Sequence, residues 1–137
     1  MVAGNSNTVI HCKTAPKALG PYSHAIVTAG NLVFCSGQTP LNPTTGEVIE
    51  GGIREQTRQS LINLQSVLES ANSSLGHLVK TTVFLKDMND FEAMNQVYGE
   101  MVQQKEGGYV PARSTVEVAR LPKDVKVEIE CVAAVRS

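Results

Sequence analysis

Val110-Pro111-Ala112-Arg113-Ser114-Thr115-Val116-Glu117-Val118-Ala119, then Arg120-Leu121-Pro122-Lys123-Asp124, then Val125-Lys126-Val127-Glu128-Ile129-Glu130-Cys131-Val132-Ala133-Ala134-Val135, is the stretch from which the fold is read. Both flanking segments alternate with period two and are rich in β-branched residues. A Pro-containing connector divides them, which predicts a β-hairpin with a longer loop. Alternation sorts the faces. Ser114, Val116 and Val118 share one side of the first strand, with Arg113, Thr115 and Glu117 on the other. In the second strand Val125, Val127, Ile129 and Cys131 oppose Lys126, Glu128 and Glu130. Pairing Val118 with Val125 and Val116 with Val127 sets Glu117 against Lys126 and Arg113 against Glu130. Registers shifted by two oppose like charges, which is unfavourable. The expectation is a sheet with one apolar face and one face bearing Arg113, Thr115, Glu128 and Glu130. Thr115, Val132 and Ala134 make that second face less polar than solvent alone would require, so it also suits a subunit interface.

Working outward, a chain of 137 residues predicts one domain spanning 1–137. It is long enough to bury a core without a disulfide or metal. Charge is nearly balanced, 12 basic against 13 acidic residues, with no Lys/Arg run. That leaves no electrostatic footprint for nucleic acid or an anionic membrane. No apolar run is long enough to span a bilayer. The polar start, Met1 to Thr8, does not read as a signal or transit peptide, so a cytoplasmic location is expected. Cys12, Cys35 and Cys131 form no CxxC and are expected to be free thiols. His11, His24 and His77 lack metal-ligand spacing, so no metal is assigned.

The remaining elements follow in order. Val9 to Cys12 predicts a short strand. Ala25 to Thr28 and Leu32 to Ser36, joined by Ala29-Gly30-Asn31, predict a hairpin. Leu41 to Gly52 carries turn signals and reads as a surface loop. Thr57, Leu61, Leu64, Leu68 and Ala71 recur at helical steps and predict a helix over Ile53 to Ala71, stopped by Asn72-Ser73-Ser74. Leu78 to Lys86 predicts a strand. Asn89, with Glu92 three residues on, has the spacing of a capping box. It opens a second helix over Asp90 to Gln104, with Phe91, Met94, Val97, Tyr98 and Met101 on one face and Gly107-Gly108 closing it. Two such helices cover one face of a single mixed sheet of about six strands, a two-layer α+β fold. The other sheet face is left for oligomerisation.

Three places could carry chemistry. Arg113, just after Pro111 at the mouth of a strand, presents a planar fork that suits a carboxylate. Glu128 is expected on the same face, two rows away, where a carboxylate can position a water or move a proton. The loops around Gly20-Pro21-Tyr22 and Ser36-Gly37-Gln38 offer the hydroxyls of Tyr22 and Ser36. The plainer alternative for Arg113 and Glu128 is a cross-strand ion pair of small energetic worth.

Several motifs occur together and in order: Gly20-Pro21-Tyr22-Ser23, Ser36-Gly37-Gln38-Thr39-Pro40, Val79 to Asp87, Pro111-Ala112-Arg113-Ser114 and Arg120-Leu121-Pro122-Lys123-Asp124. The set resembles the RidA/YjgF family of reactive-intermediate deaminases from about Lys13 to Val135. The resemblance implies a chorismate-mutase-like fold, trimerising through the sheet into a homotrimer with clefts between subunits. It implies hydrolysis of 2-imino or enamino acids, such as 2-aminoacrylate, to 2-oxo acids and ammonia, with no cofactor. By the same resemblance, Arg113 grips the substrate carboxylate and Glu128 orients the hydrolytic water or assists proton transfer. Tyr22, Ser36, Gly37, Asn95 and Thr115 line the substrate cleft. Thr115 stands where relatives carry Cys, which argues against a covalent thiol mechanism. Two other readings stay open: a ribonuclease or translation inhibitor, and a non-catalytic ligand-sensing or chaperone-like trimer. Cytosol and mitochondrion are not distinguished.

Overall fold

The apolar stripe of the first predicted helix and the alternation of the strands converge on one interior. A computed structural model of the chain describes residues 7–103 and 109–136. Its strands are β1 (Thr8–Ile10), β2 (Ala25–Val27), β3 (Leu32–Gln38), β4 (Leu78–Leu85), β5 (Ala112–Glu117) and β6 (Val127–Ala134), and its helices are α1 (Ile53–Ser70) and α2 (Phe91–Val102). Four strands form a mixed sheet in the order β3-β6-β4-β5, and β1 pairs with β2 in a separate two-stranded piece. A single parallel bridge, Ser23 to Ala112, joins the smaller piece to the edge of the larger.

Both helices lie on one face of the four-stranded sheet, giving the two-layer α+β architecture. Leu61, Leu64 and Leu68 of α1, Met94 and Tyr98 of α2, Val83 and Leu85 of β4 and Val127 and Ile129 of β6 are fully buried together. Complete burial of such a side chain contributes roughly 1.5–3 kcal/mol, so these residues dominate the core. The α1 N-terminus is satisfied by Glu55, whose carboxylate accepts from the Gly52 N–H at 2.8 Å. Its end is set by Asn72, in the left-handed region at φ 59, where the Ser73 N–H returns to Leu68 O at 2.8 Å.

Both predicted hairpins are corrected by the pairing. β2 pairs with β1 and not with β3, while β3 pairs antiparallel with β6. The strands of the opening stretch are not neighbours either, because β4 lies between them. β5 runs parallel to β4, with Arg113 level with Thr81, and β6 runs antiparallel along the other side of β4. The cause is the helix between β4 and β5: parallel strands need a crossover, and α2 supplies it. The predicted cross-strand pairs, Arg113 with Glu130 and Glu117 with Lys126, therefore do not form.

The faces of β5 are corrected with the register. Arg113 and Thr115 lie level with Thr81 and Val83, on the side covered by the helices, whereas Val116 is 41% exposed on the open side. Glu128 is level with Phe84 and so stays on the open face. Arg113 and Glu128 thus occupy opposite faces of the sheet. On the open face Phe34 is 73% exposed, and no described element of the chain covers it.

The start of α2 also differs from expectation. Asp87, not Asn89, caps by accepting from the Asn89 N–H at 2.9 Å. It closes a 3₁₀ turn over Met88–Asp90 that leads into the helix. The predicted closure at Gly107-Gly108 and the expected last residue, Gln104, lie outside the described residues.

Candidate active site at the sheet edge

Arg113 enters from β5 and points under α2. Its Nη1 donates to Asn95 Oδ1 at 2.7 Å and lies 4.0 Å from Met94 Sδ. The guanidinium carbon stands 4.9 Å from the ring centre of Tyr98, 5.5 Å from Tyr22 and 5.6 Å from Phe91. Aromatic faces attract a cation, and more strongly where water is thin. Among the described residues the ion-pair contact is Arg120 with Asp124, far along the chain at the surface; no described carboxylate pairs with Arg113. Burial pulls its pKa down, partly countered by Tyr98 and Tyr22. A half-buried cation with one amide hydrogen-bond partner retains donors for an anionic ligand.

The cage is assembled from three directions. α2 contributes Phe91, Met94, Asn95 and Tyr98 at helical spacing. Tyr98 is fixed beneath the guanidinium by a 2.6 Å hydrogen bond between its hydroxyl and Thr81 Oγ1. Burial pushes its phenol up to about 12, so the ring stays neutral. The loop from Cys12 to His24 supplies Tyr22 from above. A Cβ at Gly20 would stand 3.2 Å from both Arg113 Nη2 and Asn95 Nδ2, so glycine lets the loop backbone lie against the cleft. Thr115, two residues beyond Arg113 on the same face, has a buried hydroxyl without a partner among the described atoms.

The other expected site residues gather elsewhere. β3 and β6 lose register between Cys35 and Gln38, a bulge of the kind that re-aims side chains. There the Glu128 carboxylate lies directly over Gly37, where any Cβ would collide with it. Ser36 is exposed beside them. The structure therefore brings Arg113, Tyr22, Asn95 and Thr115 to one side, and Ser36, Gly37 and Glu128 to the other. Phe91, Met94 and Tyr98 were expected only as core. Their signal was a tyrosine on the apolar stripe next to Asn95, a polar residue at the stripe's margin. Among the described residues no group of three or more His, Cys, Asp or Glu side chains could hold a metal, and no helix is long and apolar enough to cross a membrane.

Fold and cleft together define a two-layer α+β chain with an aromatic-caged arginine at the sheet edge. The model of the family described as Endoribonuclease L-PSP matches residues 12–135, and the chain belongs to that family, the RidA/YjgF family. It is 53% identical over 125 residues to a RutC family protein of Pyrococcus horikoshii, covering 91% of this chain and 95% of that one. It is 49% identical over 127 residues to the 2-iminobutanoate/2-iminopropanoate deaminase of Escherichia coli K12, covering 93% and 97%. The solved structure of Escherichia coli TdcF with bound serine superposes with a TM-score of 0.71 at 45% identity, covering 95% of this chain and 99% of that one.

Proposed function

We propose that this chain is a 2-iminobutanoate/2-iminopropanoate deaminase, hydrolysing 2-imino acids and their enamine tautomers to 2-oxo acids and ammonia. The observation that carries the reading is the caged Arg113 guanidinium, half-buried with one neutral hydrogen-bond partner. Such a cation is stabilised by a ligand carboxylate, which it can meet through two parallel N–H bonds. The relative named a deaminase and the neighbour with bound serine are consistent with a small amino-acid-like ligand.

In this reading Arg113 anchors the carboxylate and the enamine tautomerises to the imine. Water adds to the carbon of the C=N bond, its oxygen forming the new C–O bond while the nitrogen takes a proton. The carbinolamine then collapses, breaking the C–N bond and releasing ammonia and the 2-oxo acid. Imines hydrolyse in water unaided, so positioning and electrostatics suffice and no cofactor is required. Glu128 handles the water proton. Because it lies on the opposite sheet face from Arg113, Glu128 reaches the substrate from a second copy of the chain. Packing through the open face, in a homotrimer with clefts between subunits, would also cover the exposed Phe34 and Val116. Tyr22, Asn95 and Thr115 line the cleft from one copy, Ser36 and Gly37 from the next.

The test is release of pyruvate and ammonia from 2-aminoacrylate generated in situ by a serine dehydratase. Wild type should accelerate release, and Arg113→Ala should lose that acceleration by roughly 10²-fold or more, the scale of unpairing a desolvated charged contact. Acceleration that survives the substitution would move the site elsewhere. The RNA-directed reading has the family model's description behind it, but a net charge of −1 and no basic run offer little to a phosphate backbone.

A further inference from the structure

The turn that begins the loop over Arg113 is bridged by one side chain. His24 Nδ1 accepts a hydrogen bond from the Cys12 N–H at 3.0 Å, and its Nε2 lies 2.7 Å from Pro16 O. The two partners fix the ring: a nitrogen accepting from an amide carries no proton, and one facing a carbonyl must carry it. His24 thus needs to be neutral, with its proton on Nε2, to hold both ends of the 12–16 turn.

Everything past that turn bears on the cleft. The Tyr22 hydroxyl accepts from the Leu19 N–H at 3.0 Å, and the Tyr22 N–H bonds to Gly20 O at 2.8 Å. Gly20 lies against Arg113 and Asn95, and the Tyr22 ring stacks on the guanidinium. Ser23 is moored separately to the segment that leads into β5, donating from its N–H to Pro111 O at 3.0 Å and from its hydroxyl to Val110 O. The loop is therefore a strap with one foot at Ser23 and the other beside the β1–β2 ladder, where Ile10 pairs with Ala25 and the His24 imidazole adds the two hydrogen bonds that reach into the turn.

We infer that His24 is a positioning residue, which holds the Cys12–Tyr22 strap over Arg113 and so sets how tightly the cleft binds a 2-oxo or 2-imino carboxylate. The inference rests on the proposed carboxylate-binding role of Arg113.

The test measures affinity for pyruvate, by NMR titration or calorimetry, alongside KM and kcat for the coupled reaction. The proteins compared are wild type, His24→Ala and His24→Gln. Gln is neutral, has both a donor and an acceptor, and takes no proton. His24→Ala should bind pyruvate about five- to tenfold more weakly, the scale of one or two hydrogen bonds. KM should rise by the same factor with kcat little changed, and His24→Gln should restore both. Equal loss in Ala and Gln would overturn the inference while leaving Arg113 in place. If wild type binds no pyruvate at all, the Arg113 reading falls and this inference with it. Thermal unfolding of each variant separates a loosened strap from a destabilised fold, because a global loss in Ala would leave the Gln comparison decisive.

Discussion

The helix side of the sheet surrounds Arg113 with three aromatic rings, a thioether and an amide, all from the same chain. The open side holds Glu128 only by leaving room for it over Gly37, with Ser36 and Phe34 exposed nearby. The two regions are finished to different degrees. A cation that must stay charged while partly desolvated needs its environment built before a ligand arrives. A carboxylate at the surface keeps its water until another surface comes up against it. The contrast teaches that the anchoring half of the proposed site is complete in one chain, and the proton-handling half is not.

That contrast can be tested hardest by mixing. Glu128→Gln alone should lower kcat by roughly 10²-fold, the usual contribution of a positioned acid or base, while pyruvate affinity holds. If the site spans two copies, inactive Arg113→Ala and Glu128→Gln chains refolded together should recover roughly a quarter of wild-type activity, since random assembly gives that share of clefts with both native residues. No recovery in demonstrably mixed assemblies would place both groups in one chain's cleft. A smaller effect is expected from Gly37→Ala, which forces the Glu128 carboxylate aside. kcat should drop by about tenfold with pyruvate binding retained, because the Arg113 half is untouched. An equal loss of binding would show that the two halves are not separable.

The smallest effect concerns the floor of the Arg113 pocket. Tyr98→Phe keeps the ring but strands the Thr81 hydroxyl, at a cost of about 1 kcal/mol of stability in urea unfolding at neutral pH. The phenol, pushed up to about 12 in the folded chain, titrates near 10 when unfolded. Between those values the unfolded chain binds fewer protons, so Tyr98 makes stability fall as pH rises from about 10 to 12. The Phe variant should lack that part of the alkaline loss.

Sequence alone located every strand and both helices to within a few residues, because α1 and α2 have apolar stripes, β6 alternates over Val127–Cys131 and β4 is rich in β-branched residues. It misplaced neighbours. Alternation says which residues share a face, not which strand lies alongside, so β5 and β6 read as a hairpin although β4 separates them. The error carried through to chemistry: Val116 was turned inward and Arg113 outward, the reverse of what the parallel pairing with β4 imposes. The signal that would have corrected it lay in α2, where a phenol and an amide flank the apolar stripe at the height of Arg113. Arg113, Tyr22 and Asn95 were nonetheless singled out, since the family motifs do not depend on register.

The sheet order has a last consequence, for how the chain is made. β6 is the last described element to leave the ribosome, yet it forms the middle of the sheet, with β3 on one side and β4 on the other. Cys35 meets Cys131 across that joint. Until residues 127–134 have been synthesised, β3 has no neighbour and α1 has only part of a surface to cover. Joining β3 to the β4–β5 pair therefore waits on β6, the one strand that touches both sides.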